Sequence, residues 1–511
     1  MIVYRRISQG LFLLIFCFLF VQTESKGGDE LGYPVKIFLD FDPLLSFAAF
    51  LSSHTVPSGF YLALILLIAT LVLGRAFCGW VCPLGTLHTM VSALKGKNSP
   101  ARWYRVKYYN LLFIIAASLF SLQLAGIADP LSVLIRSFSL SVYPAFNYAV
   151  RGFFDTIYSL DIPHVVNVSE LIYRGLQRTV LSFGQPVFRQ GFLIGLIFII
   201  ILALDFVDKR FWCRSLCPLG ALLGFVSRFA LLKRSVNNAC TSCGRCQKIC
   251  PSGAITDEHG NARIMECLYC MDCDDLCPQG SISFGLSGGS KFVAMNVGRR
   301  NVVSSLVAGI AAVPFLRTTP ISATNRHNPK LIRPPGACEE KEFLKKCVRC
   351  GECMKVCITN GLQPTLVDAG AEGIWTPILV PKVGYCEFRC TLCGQVCPTG
   401  AIQRLSLDDK QRTKIGLAMI DKGRCLPYSF ALPCIVCEEV CPTATKAIWL
   451  ESTLVADRAG KKITVQQPHV DLELCIGCGI CEKQCPVLGE PAIYVINSGE
   501  SRSRDNQVLL S

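Results

Sequence analysis

The run Cys240-Thr241-Ser242-Cys243-Gly244-Arg245-Cys246-Gln247-Lys248-Ile249-Cys250-Pro251 is the stretch on which the reading of this chain turns. Three cysteines two residues apart let one short loop wrap three corners of an iron–sulfur cube. The fourth, three residues on and followed by proline, reaches a neighbouring cube in two-cluster ferredoxins. The pattern returns at Cys267, Cys270, Cys273 and Cys277, then at Cys347, Cys350, Cys353 and Cys357, and at Cys475, Cys478, Cys481 and Cys485. Two looser copies lie between them. Cys386, Cys390, Cys393 and Cys397 open with a three-residue gap, and Cys425, Cys434, Cys437 and Cys441 with an eight-residue gap. The six quartets predict six 4Fe-4S clusters working in pairs. Structural zinc needs two C-x2-C knuckles separated by a longer loop, which three cysteines in one tight run do not provide. Disulfide frameworks belong mostly to small secreted domains. Cys17 and Cys338 lie outside any motif and read as small apolar residues.

The 511 residues are 51% hydrophobic and 17% charged, with a net charge of +14 and a mean hydropathy of +0.42. So low a charged fraction excludes an ordinary soluble domain and a disordered chain, and part of the chain is expected in lipid. The positive excess fits cytoplasmic loops of a membrane protein, and no nucleic-acid partner is expected.

Apolar runs occur at 11–21, 60–73, 111–127, 191–206 and, more weakly, 302–316. With flanking residues the middle three approach the roughly 20 residues that cross a bilayer. The first follows Arg5 and Arg6 and is read as an uncleaved anchor. Arg75, Lys95, Lys97, Arg102, Arg105 and Lys107 place the loop after the second run inside, whereas Glu24, Asp29, Glu30, Asp40 and Asp42 outweigh Lys26 and Lys36 in a loop placed outside. Lys209, Arg210, Arg214, Arg228, Lys233 and Arg234 return the chain to the cytoplasm, with the first two quartets following. Arg299 and Arg300 then precede a modest apolar stretch. This reads either as a mid-chain twin-arginine export signal or as a fifth span. Both place residues after about 320 outside.

The membrane half carries a duplication. Asp42-Pro43-Leu44 precedes a span ending in Cys78-Gly79-Trp80-Val81-Cys82-Pro83-Leu84-Gly85, and Asp129-Pro130-Leu131 precedes one ending in Cys213-Arg214-Ser215-Leu216-Cys217-Pro218-Leu219-Gly220. Parallel repeats of this kind are related by an axis along the membrane normal, so Cys78, Cys82, Cys213 and Cys217 are expected to converge at the cytoplasmic edge. They read either as a metal site or redox relay, or as apolar packing where proline and glycine turn the chain out of the membrane. Asp42 and Asp129 are expected to cap helices ahead of proline, with proton acceptance as the other reading. Residues 131–187 are expected to form helices on the outer face.

The fold class predicted is multi-domain: an α-helical membrane bundle with a duplicated span pair, plus α+β ferredoxin-like 4Fe-4S domains. The expected boundaries are 1–234 for the membrane domain, 235–290 for a cytoplasmic two-cluster domain, 291–320 for the signal or fifth span, and 321–511 for a periplasmic four-cluster domain.

The two C-x3-C-P-L-G elements and the quartet pair after them resemble the NapH family of membrane ferredoxin-type proteins, with NosR-type proteins more distant. The later twin arginine and four quartets resemble the exported NapG and MauM ferredoxins. The resemblance implies a fused module of the bacterial inner membrane that takes electrons from quinol to a periplasmic acceptor protein or reductase, with lipid, quinol and that acceptor as partners. The first motif of the exported half departs from it, ending Cys357-Ile358, and the loop at 23–56 is too short for the flavin domain of NosR-type proteins. Within each pair of motifs a ferredoxin exchange of the fourth cysteine is expected, joining Cys277 to Cys240, Cys243 and Cys246, and Cys250 to Cys267, Cys270 and Cys273. For the exported half, the resemblance to four-cluster electron-transfer subunits implies nested pairing, Cys485 with Cys347, Cys350 and Cys353, and Cys441 with Cys386, Cys390 and Cys393.

The six histidines, His54, His88, His164, His259, His327 and His469, form no haem-ligand pattern, and neither haem nor flavin is expected. No catalytic motif for a separate substrate is present. Two function classes follow: an electron-transfer subunit, or an iron–sulfur sensor or maturation factor. Six clusters in one chain favour a wire.

Overall fold

The computed structural model describes residues 1–25, 28–95, 103–160, 163–286, 298–318, 328–456, 460–503 and 506. Lys26, Lys97, Arg102, His327 and the expected domain junctions at 290 and 320 lie outside them.

The main helices are α1 (Ile2–Gln22), α2 (Pro43–Ser53), α3 (Phe60–Leu73), α4 (Pro83–Lys95), α5 (Val106–Leu119), α6 (Pro130–Ser137), α7 (Tyr143–Ser159), α8 (Pro163–Thr179), α9 (Gly191–Ala203), α10 (Pro218–Ser227) and α11 (Arg299–Thr318). Helix starts follow from local chemistry. Asp42 accepts the N–H groups of Leu44 and Leu45 with Pro43 in the first turn, and Asp129 accepts that of Ser132 ahead of α6. Only α1, among the described residues, is long and apolar enough to cross a membrane by length and composition; α2, α3, α5, α10 and the run Gly191–Phe206 are shorter. The expected bundle of several full-length spans is therefore met by one helix of that length.

At one end of α1, Arg5 pairs with Asp272 at 2.9 Å and the Ile2 N–H donates to Asp275. At the other end, Lys355 Nζ donates to the Phe20 and Thr23 carbonyls. A helix of 21 residues spans about 30 Å at 1.5 Å per residue, so the unit holding the first two quartets and the unit holding the last four sit at opposite ends of the bundle. Helix α11 runs the same distance: Asn301 bonds Tyr109, and Arg317 pairs with Glu372 and bonds the Ser121 carbonyl. Leu268 of one unit and Val348 of the other belong to a single apolar core with Phe16, Leu44, Leu84 and Leu134 of the helices.

Each pair of quartets is closed in the same way, by antiparallel pairing between the residues before its first motif and those after its second. Strand β1 (Lys233–Val236) pairs with β2 (Ile282–Gly285) around motifs one and two. The bridge Ala337 to Ile402 brackets motifs three and four. Beyond β3 (Leu362–Pro364) and β4 (Pro377–Leu379), which pair with each other, strand β5 (Leu417–Ile420) pairs with the last strand, β8 (Ile493–Ile496), around motifs five and six. Between them β6 (Ile448–Ala456) and β7 (Lys462–Val470) form a long hairpin. The protein is thus multi-domain, helical with short sheets.

Candidate metal centres

The four regular motifs share one backbone path. Ser242, Tyr269, Arg349 and Gly477 have positive φ, and so do Gly244, Met271, Gly351 and Gly479 two residues on. Alternate left-handed residues curl the loop around a point and start a short helix that carries the third cysteine. The looser motifs reach the same end differently, Cys393 and Cys437 each lying on a one-turn helix, Leu392–Gln395 and Val436–Glu439.

Five cavities are each lined by four cysteines. Cys240, Cys243 and Cys246 share one with Cys277, and Cys267, Cys270 and Cys273 share another with Cys250, the exchange expected from the spacing. The last four motifs correct the nested pairing. Cys347, Cys350 and Cys353 face Cys397, not Cys485, and Cys357 acts instead on Cys386, Cys390 and Cys393, which Cys441 was expected to join. Cys425, Cys434 and Cys437 share a cavity with Cys485, and Cys475, Cys478 and Cys481 with Cys441. The reason is strand closure. Each bracketing pair brings the second motif of its unit back onto the first, whereas a nested arrangement would need the residues flanking motif three to pair with those flanking motif six.

The donor sets fit a four-iron cube. No disulfide consumes the thiols. Among the described residues, no three His, Cys, Asp or Glu side chains close on a point as a single metal ion requires, whereas a cube holds its sulfurs further apart than zinc does. Backbone N–H groups donate to the fourth cysteines: Ser281 to Cys277, Ile402 to Cys397, and Ala492 to Cys485, at 3.3 to 3.4 Å. Burial pushes Cys267 and Cys478 up to about 12. The positive charge of a bound metal core offsets that cost, since metal binding deprotonates its thiols.

The structure also brings together Cys78, Cys82, Cys213 and Cys217, all buried. They do not sit on continuous helices. Cys78 lies in the turn Ala76–Trp80 and Cys213 in the π-turn Trp212–Leu216, while Cys82 and Cys217 stand at the starts of α4 and α10. Asp42 and Asp129 cap their helices as expected, and each turns its other oxygen toward its counterpart across the repeat. Both carboxyls are fully buried, which raises their pKa, and each acts on the other.

Sequence reasoning missed the buried charges that join the bundle to the first unit. Glu266 accepts from Tyr108 at 2.7 Å and pairs with Lys107 and, at 3.8 Å, with Arg75. His88, which belongs to no motif in the sequence, is fully buried and pairs with Asp205 at 2.7 Å. These partners are 117 to 191 residues apart, and no local pattern marks them. The only signal was the unusual presence of charge beside apolar runs.

Two families, both described as 4Fe-4S binding domains, match the chain: one at residues 55–100, 190–237 and 392–415, the other at 236–256 and 468–488. The methylamine utilization ferredoxin-type protein MauM of Methylorubrum extorquens is 35% identical over 39% of this chain and 88% of its own length. The ferredoxin-type protein NapG of Escherichia coli is 37% identical over 39% of this chain and 85% of its own. The ferredoxin-type protein NapF of the same organism is 33% identical over 32% of this chain and 85% of its own. No solved structure matches.

Proposed function

Because the chain belongs to the family of ferredoxin-type proteins that includes MauM and NapG, we propose that it is a membrane-bound electron carrier taking electrons from quinol to a periplasmic acceptor protein. The observation that carries this reading is the placement of cysteine-lined cavities at both ends of one bundle, with a helix of membrane-crossing length between them. In this reading residues 235–290 face the cytoplasm, residues 321–511 face the periplasm, and the six quartets hold six clusters. Bound clusters supply one-electron carriers. The chain's own residues supply the rest. The N–H groups on the fourth cysteines and the burial of the bundle-facing motifs tune potential, and the docked loops fix the distances between carriers. Quinol gives up two electrons and two protons, so the electrons must leave singly.

Reduction of the purified holoprotein by a menaquinol analogue, followed by EPR, tests the reading. Appearance of reduced-cluster signals is expected. Clusters that reduce with dithionite and stay oxidised with the quinol at any concentration overturn it.

A further inference from the structure

Six of the 30 cysteines lie outside the quartets, and four of these meet inside the bundle. The charge of Cys78 and of Cys213 acts on both Cys82 and Cys217, and that of Cys78 on Cys213. Each element supplies two thiols, so neither copy of the repeat makes a site alone.

Three independent features mark this as a cluster site. The N–H groups of Gly85 and Gly220 donate to Cys82 Sγ and Cys217 Sγ at 3.4 and 3.2 Å, the same amide-to-sulfur bonding seen at Cys277, Cys397 and Cys485. Two guanidiniums, Arg75 and Arg210, each 1% exposed, flank the sulfurs. Arg75 bonds the Cys213 carbonyl at 3.2 Å and acts on Cys78; the carboxylate near it, Glu266 at 3.8 Å, is shared with Lys107, and its Nε has no partner. Arg210 bonds the carbonyls of Cys78 and Gly85 and the hydroxyl of Thr89, with no carboxylate bonded to it among the described residues. Buried cations demand anionic neighbours. Four neutral thiols or two disulfides offer none, whereas four thiolates on a cube whose core is 2+ carry a net negative charge. Finally, a family described as a 4Fe-4S binding domain matches residues 55–100 and 190–237, and each of those segments holds only two cysteines.

We propose that Cys78, Cys82, Cys213 and Cys217 together hold a further 4Fe-4S cluster, shared between the two halves of the repeat. The inference rests on the reading of the six quartets as cluster sites. Its place in the path is set by packing. A Cβ on Gly79 would lie 2.7 Å from the Leu268 carbonyl, and Trp80 Nε1 donates to the Tyr269 carbonyl at 2.9 Å. The loop of Cys267, Cys270 and Cys273 therefore rests directly on the turn that carries Cys78. One electron exchanged with the cluster of that loop lowers the core from 2+ to 1+, and onward transfer restores it, with no bond to the protein made or broken. Such a site moves the electron path inward from the first unit and shortens a gap of about 30 Å between the two ends.

Native mass spectrometry and iron with acid-labile sulfide analysis of the anaerobically purified full-length holoprotein test the site without any substitution. Seven clusters, about 28 irons per chain, are expected, whether or not quinol reduces the protein. Six clusters, about 24 irons, with four alkylatable thiols, a disulfide pair or one zinc ion in their place, overturn it. In the double variant Cys78→Ser, Cys213→Ser, loss of about four irons and of one EPR signal, with the remaining signals retained, supports it. Iron content equal to that of the unsubstituted protein overturns it. If the variant does not fold, the mass of the unsubstituted holoprotein still decides.

Discussion

The two ends of the bundle hold their iron–sulfur units by different physics. At the end holding the first two quartets, the inner one in the proposed orientation, the contact is ionic and buried: Glu266, 2% exposed, meets Lys107, Tyr108 and, at 3.8 Å, Arg75. At the end holding the last four quartets, the outer one in the proposed orientation, the buried contacts are made to backbone groups. Gly126 faces the Val348 carbonyl at a distance that leaves no room for a Cβ. Arg136 donates to the Arg349 carbonyl at 3.2 Å, and Arg349 returns a bond to the Gln123 carbonyl. In the unit of the first two quartets the motif touching the bundle is the more buried one: Cys270 and Cys273 are buried, while Cys243 of the distal motif is exposed. Burial and exposure are opposite influences on cluster potential, so the two motifs of that unit offer a cluster different surroundings.

The ionic joint should break hardest. Glu266→Ala leaves two buried cations unpaired and is expected to cost about 3–5 kcal/mol, read as a lowered midpoint of thermal unfolding and as protease access at 240–280. A shift within error would mean that the inner unit docks by apolar contact, as through Leu268. The pairing within the outer unit breaks next. Cys397→Ser should disturb the cluster of Cys347, Cys350 and Cys353 and leave that of Cys386, Cys390 and Cys393 intact, detected as one altered EPR signal. Alteration of the second set would restore a different pairing.

The backbone joint is expected to yield less. Gly126→Ala forces the Val348 loop away at about 1–3 kcal/mol, visible as faster amide exchange at 347–353 with no change at 267–273. Equal change at both would mean that the two joints are not independent. The smallest effect is one of pH. Burial would raise the Glu340 carboxyl, but Arg333 and Arg502 overcome it and hold the group at about 2. A depressed folded pKa contributes stability above the ordinary value of 4.5, lost as pH falls from there toward 2. Glu340→Gln should flatten that acid limb of the unfolding profile of the outer unit and leave the profile near neutrality almost parallel. An unchanged acid limb would remove Glu340 from the account.

Local chemistry made much of this legible. The C-x2-C-x2-C-x3-C runs announce their loop because the left-handed turns at Gly244 and Gly351 and the positions of three sulfurs are fixed within a dozen residues. Asp-Pro announces a helix start for the same reason, and the duplicated Cys-Pro-Leu-Gly elements announce their own convergence. Span lengths were legible only as apolar runs, since where a helix ends depends on neighbours: the run 111–127 stops as a helix at Leu119.

By itself the sequence determined which cysteines act together in threes, where the repeats lie, and which loops carry the positive charge, all properties of neighbouring residues. Tertiary structure alone decided which motif lends its fourth cysteine to which, because that rests on strands β5 and β8 meeting across more than 70 residues. It alone also decided the partners of Glu266, Arg210 and His88. A charge that is costly to bury finds its counter-charge through space, and no spacing along the chain records where that partner will be.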